Sequence, residues 1–172
     1  MLHALQLTLV LIFPALVVTG GLRDLTSFII PNWISLALVA GFALAAPACG
    51  VEGAQIGICV LAGVAALVIG MGMFAAGWIG GGDAKLFSAA ALWLGWPASL
   101  SFMAFVGLAG GALAVGLLGL RSAWVRPILP GGPRWFGRLV EPNGDVPYGV
   151  AIAVGALAAF PASPIMQAAS AW

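Results

Sequence analysis

Charge is the scarcest commodity in this chain. Its 172 residues include only six lysines and arginines, five aspartates and glutamates, and one histidine. A soluble domain carries roughly a quarter charged residues, so 6 % charged against 63 % hydrophobic excludes that class. The chain reads as an integral membrane protein. Histidine is confined to His3 and cysteine to Cys49 and Cys59, which do not form a CxxC pair. A zinc site needs three or four clustered thiolate, imidazole or carboxylate ligands, and neither it nor a serine–histidine triad is supported. No cofactor is expected, and the cysteines read as small buried apolar residues. Leu2–Gly20 lacks the basic start and small-residue cleavage site of a signal peptide, so it reads as a retained first span.

What is present is long apolar sequence. A helix crossing a hydrocarbon core of about 30 Å needs about 20 apolar residues. Leu2–Gly20 fits, followed by a short polar break over Gly21–Ser27. A second span starts at Phe28 or Pro31 and runs to Ala46, with Pro31 suited to a first helical turn. A third runs from Ala54 to Ile79. The apolar run Leu86–Leu120 is too long for one crossing, and Gly95-Trp96-Pro97 divides it into a short fourth span and a longer fifth. Tyr148 to Met166 is the sixth. The expected fold is all-α and polytopic, one transmembrane domain over 1–172 with six spans.

Segment 121–146 differs in kind. Arg121, Arg126, Arg134 and Arg138 lie in it with Trp124, Trp135 and Phe136 among several prolines. It reads as an extramembrane loop at the interface in contact with lipid headgroups, and not as a nucleic-acid site. With six spans, Arg23, Lys85 and all four of these arginines share one face, and Glu52 sits on the other. Positive residues mark the cytoplasmic side, so both termini are expected outside.

Between spans three and four lies Gly80-Gly81-Gly82-Asp83-Ala84-Lys85-Leu86. An ionisable residue at the edge of a bilayer is a functional-site candidate by default. The glycines allow unusual backbone angles and close approach of another chain. The orientation count puts Asp24 and Asp83 on the same face, each where a polar break meets a span. Two such acids sharing a site cannot both ionise readily, which supplies a general acid and a general base at one pH. If a helix starts after Asp83, its dipole favours Asp83 as the ionised member. Lys85, two residues on, does not face Asp83 on a helix and is free to meet an acidic group or a headgroup. Asp145 is the alternative second acid. The same residues leave other classes open: a transporter relaying protons, a serine–lysine protease using Lys85 with Ser27 or Ser88, or a non-catalytic assembly subunit.

Three blocks resemble the type IV prepilin peptidase family of GxGD membrane aspartic proteases. Gly80–Leu86 is similar to its G-x-G-D-x-K-L motif. Asp24 followed by Ile30-Pro31-Asn32 is similar to its first-aspartate block ending in I-P-N. Val146-Pro147-Tyr148-Gly149-Val150-Ala151-Ile152 is similar to its P-Y-G block. The resemblance implies cleavage of a basic leader from pilin precursors at the cytoplasmic surface of a bacterial inner membrane, with Asp24 and Asp83 as the catalytic pair. Gly80, Gly81, Gly82, Lys85, Pro31, Asn32, Pro147, Tyr148 and Gly149 would be motif or substrate-binding positions. The partners implied are the prepilin and lipid. The chain's length resembles the short branch serving Tad/Flp-type pili. It has no cysteine-bearing cytoplasmic segment near its start, which argues against the N-methyltransferase activity of the longer branch. The basic residues frequent before I-P-N in the family are replaced by Leu25-Thr26-Ser27-Phe28-Ile29.

Overall fold

A computed structural model describes residues 2–125, 132–142 and 144–170. Helices account for nearly all the regular structure, and no strand occurs among the described residues. In order these are α1 (Leu2–Ser27), α2 (Asn32–Ala48), α3 (Gly53–Ala75), α4 (Gly81–Leu94), α5 (Ala98–Leu120), α6 (Arg134–Leu139), α7 (Tyr148–Ala159) and α8 (Pro164–Ala169). A 3-10 turn over Phe160–Ala162 joins the last two.

Three helices, over His3–Ser27, Gly53–Ala75 and Ala98–Leu120, are long and apolar enough to cross a membrane. Asn32–Ala48 and Tyr148–Ala162 are apolar but shorter. α4, with 14 residues, extends about 21 Å at 1.5 Å per residue, less than a hydrocarbon core. The expected sixth span is broken at Phe160-Pro161: α7 stops after 12 residues. The Ser163 hydroxyl then accepts the Met166 N–H to cap α8.

The polar break expected after Gly20 does not occur. α1 runs through Gly20 and Gly21 to Ser27, so Arg23 and Asp24 stand on helix. The two glycines are a notch for neighbouring elements. A Cβ on Gly20 would lie 3.1 Å from Leu86 Cδ2 of α4, and one on Gly21 would lie 3.0 Å from Ala153 Cβ and 3.2 Å from the Gly149 carbonyl of α7. Packing against α4 at Gly20 and α7 at Gly21 offsets the helix cost of glycine, about 1 kcal/mol each. α1 ends where Phe28 takes φ +55. Pro31 caps α2 from just outside it.

Consecutive long helices alternate in direction. Gln6 Nε2 donates to the Ala48 carbonyl, joining the start of α1 to the end of α2. Cβ atoms on Gly63 and Gly70 of α3 would touch Leu92 and Ala84 of α4, an antiparallel pairing. The core lies where α1, α2, α4 and α7 meet: Phe13 stacks on Phe160 at 4.4 Å and tilts against Trp93 at 5.3 Å. The indole N–H of the fully buried Trp93 donates to the Leu38 carbonyl at 2.7 Å, satisfying the polar tip of an otherwise apolar ring. Cys49 and Cys59 are buried and unbridged, as the sequence suggested. Arg126 lies outside the described residues. The other basic residues, Arg23, Lys85, Arg121, Arg134 and Arg138, lie at one end of the bundle, and Glu52 begins α3 at the other.

Candidate active site

At the basic end, the last turns of α1, the α3–α4 bend and the segment entering α7 enclose a cavity of about 450 Å³. It is lined by Asp24, Phe28, Gly77, Trp78, Ile79, Gly80, Asp83, Asp145, Val146 and Tyr148. Three carboxylates and no basic residue are among them. The antiparallel packing of α1 on α7 and of α3 on α4 brings these distant stretches together.

Asp24 is buried on the last turn of α1. Its Oδ2 accepts the Gly149 N–H at 2.6 Å, across 125 positions of sequence. The approach needs glycine at 149: a Cβ there would lie 2.8 Å from Asp24 Cβ, 2.9 Å from its Oδ2 and 3.0 Å from Ile30 Cδ1. Pro147 is fully buried at the N-cap of α7. It fixes the entry of the backbone that carries this amide.

Asp83 is the third residue of α4, with Gly80 at the N-cap. Its side chain turns back to take the Gly80 backbone hydrogen bond, the carboxylate half of a capping box. That leaves Asp83 Oδ1 enclosed without a partner. Asp24 has a short backbone donor, whereas Asp83 has an orphaned oxygen and shares the cavity with Asp24, surroundings that favour Asp83 as the protonated member, against the helix-dipole expectation.

Gly80, Gly81 and Gly82 serve close approach and not unusual dihedrals. Gly80 sits at φ −70, and the positive φ in this bend belongs to Gly77, at +75. A Cβ on Gly80 would press 2.8 Å from Asp83 Oδ2, one on Gly81 3.3 Å from Phe74, and one on Gly82 3.1 Å from Ile30 Cβ.

The remaining expected positions divide into two groups. Tyr148 lines the cavity. Lys85 and Asn32 meet each other instead, Lys85 Nζ donating to Asn32 Oδ1 at 3.0 Å. This lysine ties α4 to the start of α2, joining the G-x-G-D-x-K-L block to the I-P-N block. Ser88 is occupied as well, its hydroxyl donating to the Lys85 carbonyl. Asp145 reaches the cavity from the third wall, so the alternative acid is present alongside Asp24 and not in place of it. Trp78, Phe28 and Arg121 were not anticipated. Arg121 had one signal, its place as the first residue after an apolar helix. No three His, Cys, Asp or Glu side chains among the described residues are grouped to hold a metal.

The arrangement sets Asp24 and Asp83, with Asp145, around a cavity of about 450 Å³ at the end of an apolar helical bundle. No curated protein and no solved structure gives a significant match to the chain. Residues 11–115 match the model of the type IV leader peptidase family, a stretch holding both Asp24 and Asp83. That stretch is more than half of the chain, and the chain belongs to the type IV leader peptidase family.

Proposed function

We propose that the chain is an aspartic endopeptidase that removes the basic leader of type IV prepilins of the Flp/Tad class at the cytoplasmic face of a bacterial inner membrane. The observation that carries the reading is the shared cavity of Asp24 and Asp83 with their unequal surroundings. The Asp24 carboxylate takes a proton from water as the water oxygen attacks the scissile carbonyl carbon. Asp83 gives its proton to the carbonyl oxygen. Collapse of the tetrahedral adduct breaks the C–N bond, with the departing nitrogen taking the proton held by Asp24 and an adduct hydroxyl returning a proton to Asp83 as the carbonyl reforms. No cofactor takes part.

The substrate in this reading is a single apolar helix with a basic leader. The helix lies in the bilayer against the peptidase, and the leader enters a cavity lined by acids alone, which attracts positive charge. The concentration of the described basic residues at the cavity end supports a cytoplasmic placement of the site. It also supports six crossings with both termini outside, the shorter helices being accommodated by local thinning of the bilayer.

Co-expression with a candidate prepilin tests the proposal through the gel shift that accompanies leader loss. Asp24→Asn and Asp83→Asn each abolish the shift. Processing by both Asn variants would sink the aspartic reading, and proton flux without processing would favour a transporter.

A further inference from the structure

Arg121 follows the last residue of α5 and is half-buried, yet no carboxylate among the described residues pairs with it. Each of its guanidinium nitrogens donates to a main-chain carbonyl. Nε donates to Leu139 at 2.9 Å, Nη1 to Gly144 at 2.8 Å and Nη2 to Asp145 at 2.7 Å. Asp145 is the adjacent acid, but it offers Arg121 its carbonyl; its carboxylate has no partner among the described residues and stands in the cavity wall. The turn is closed around the guanidinium: a Cβ on Gly144 would lie 3.1 Å from the Arg138 carbonyl and 3.3 Å from Arg121 Nη2. The segment so gripped continues through Val146, Pro147 and Tyr148 to the Gly149 N–H that Asp24 accepts.

We infer that Arg121 is a positioning residue for the acid pair, acting through the 144–149 segment to hold the Gly149 amide against Asp24. This rests on the peptidase reading above for its catalytic consequence, but not for its structural one. A planar fork with five donors in fixed directions suits three divergent carbonyls. An ammonium is a point charge on a flexible stem and cannot satisfy all three together. Near the C-terminus of α5 the cation is also favoured by the helix dipole. Arg121 touches neither acid. Its effect passes along five residues of backbone whose other end is the Asp24 hydrogen bond.

The test uses full-length protein in lipid nanodiscs, as wild type, Arg121→Lys, Arg121→Gln and Arg121→Ala. Hydrogen exchange at the Gly149 amide reads the clamp directly and needs no substrate. It is expected to quicken at least tenfold in the Gln variant and less in Lys. Leader cleavage reads the consequence: kcat falls at least tenfold in Gln with KM within twofold of wild type, and added guanidinium restores part of the rate in Ala. A purely structural role would lower the yield of folded enzyme or the melting temperature without this split or rescue. Unchanged Gly149 exchange in both Lys and Gln overturns the inference. If wild type cleaves no leader but Gly149 exchange still responds, the peptidase reading fails and the clamp stands.

Discussion

Gly149→Ala is the sharpest single perturbation of the acid site, because one methyl group attacks the Asp24 hydrogen bond without touching either acid's charge. The added Cβ would lie 2.8 Å from Asp24 Cβ, closer than carbon atoms tolerate. Rotating the aspartate does not relieve this, since the nearest atom is the Cβ fixed to α1. Nor can α1 slide toward α7 elsewhere, because Gly21 already sits against Gly149 and Ala153. α1 and α7 must part locally, and the 2.6 Å bond from Gly149 to Asp24 lengthens or breaks. A hydrogen bond to a charged group contributes about 1.5–3 kcal/mol. If the loss falls on the reacting state, each 1.36 kcal/mol is tenfold in rate, so cleavage slows by about 10- to 150-fold. Overpacking costs a further 1–3 kcal/mol or so of fold stability.

The assay is leader cleavage by purified protein, with melting temperature measured in parallel, because a destabilised enzyme also loses activity. Two other glycines separate the effects. Gly107→Ala on α5 has nothing within 4 Å of its new Cβ and is expected to be silent. Gly155→Ala brings a Cβ to 2.8 Å from the Val106 backbone nitrogen, on the same helix pair as Tyr148 but away from the acids. It lowers the melting temperature while leaving the rate per folded molecule close to wild type. Gly149→Ala loses rate beyond its loss of stability. Wild-type cleavage by folded Gly149→Ala would refute the claim that this amide matters to Asp24.

Asp145→Asn retains most processing, whereas Asp24→Asn and Asp83→Asn retain none. The opposite pattern in a gel-shift assay would hand the second catalytic role to Asp145. Cleavage falls as pH rises past the point where Asp83 gives up the proton it must donate, and a rate that climbs steadily to about pH 9 contradicts that assignment. Lys85→Ala and Asn32→Ala each slow processing by a few-fold, and the double variant is no worse than either alone, because the two share one hydrogen bond. Additive losses would mean that each acts separately.

The long apolar elements were legible because length and hydropathy suffice for them. α3 and α5 begin within a residue or so of their expected starts, and the division at Gly95-Trp96-Pro97 falls between α4 and α5, where Gly95 takes φ +60. The membership of Asp24 and Asp83 in one cavity was legible as well, through the side on which each lies. Features set by partner helices were not. Gly21–Ser27 reads as a break when only the local chain is considered, and stays helical where Gly21 forms a notch that α7 packs into. α6, in a segment rich in proline and arginine, has only six residues and no apolar period to announce it. Arg121 resembled its basic neighbours as a headgroup ligand, because nothing in the chain's order shows that three carbonyls from 139 to 145 converge on it.

The surroundings of the pair show why local rules are incomplete at the site itself. By helix polarity alone, Asp83 near the start of α4 is the favoured anion and Asp24 near the end of α1 is disfavoured. That effect contributes about 0.3–1 kcal/mol at exposed termini. Against it stand two interactions from elsewhere in the fold. The short Gly149 donor stabilises a charged Asp24 by about 1.5–3 kcal/mol. The enclosed Asp83 Oδ1 lacks a partner, which costs about 1–3 kcal/mol while it remains an acceptor alone. A proton on Asp83 turns that carboxyl into a donor that can point at Asp24 or at a substrate carbonyl. The Gly80 backbone bond to Asp83 offsets part of this, but the Gly149 donor alone still exceeds the dipole effect, so α7, far in sequence from both acids, bears on which one carries the proton. Cutting the Gly149 contact while leaving both acids in place should therefore narrow the gap between the two limbs of the pH–rate profile, and a gap of unchanged width in Gly149→Ala would mean that the polarity of α1 and α4 governs after all.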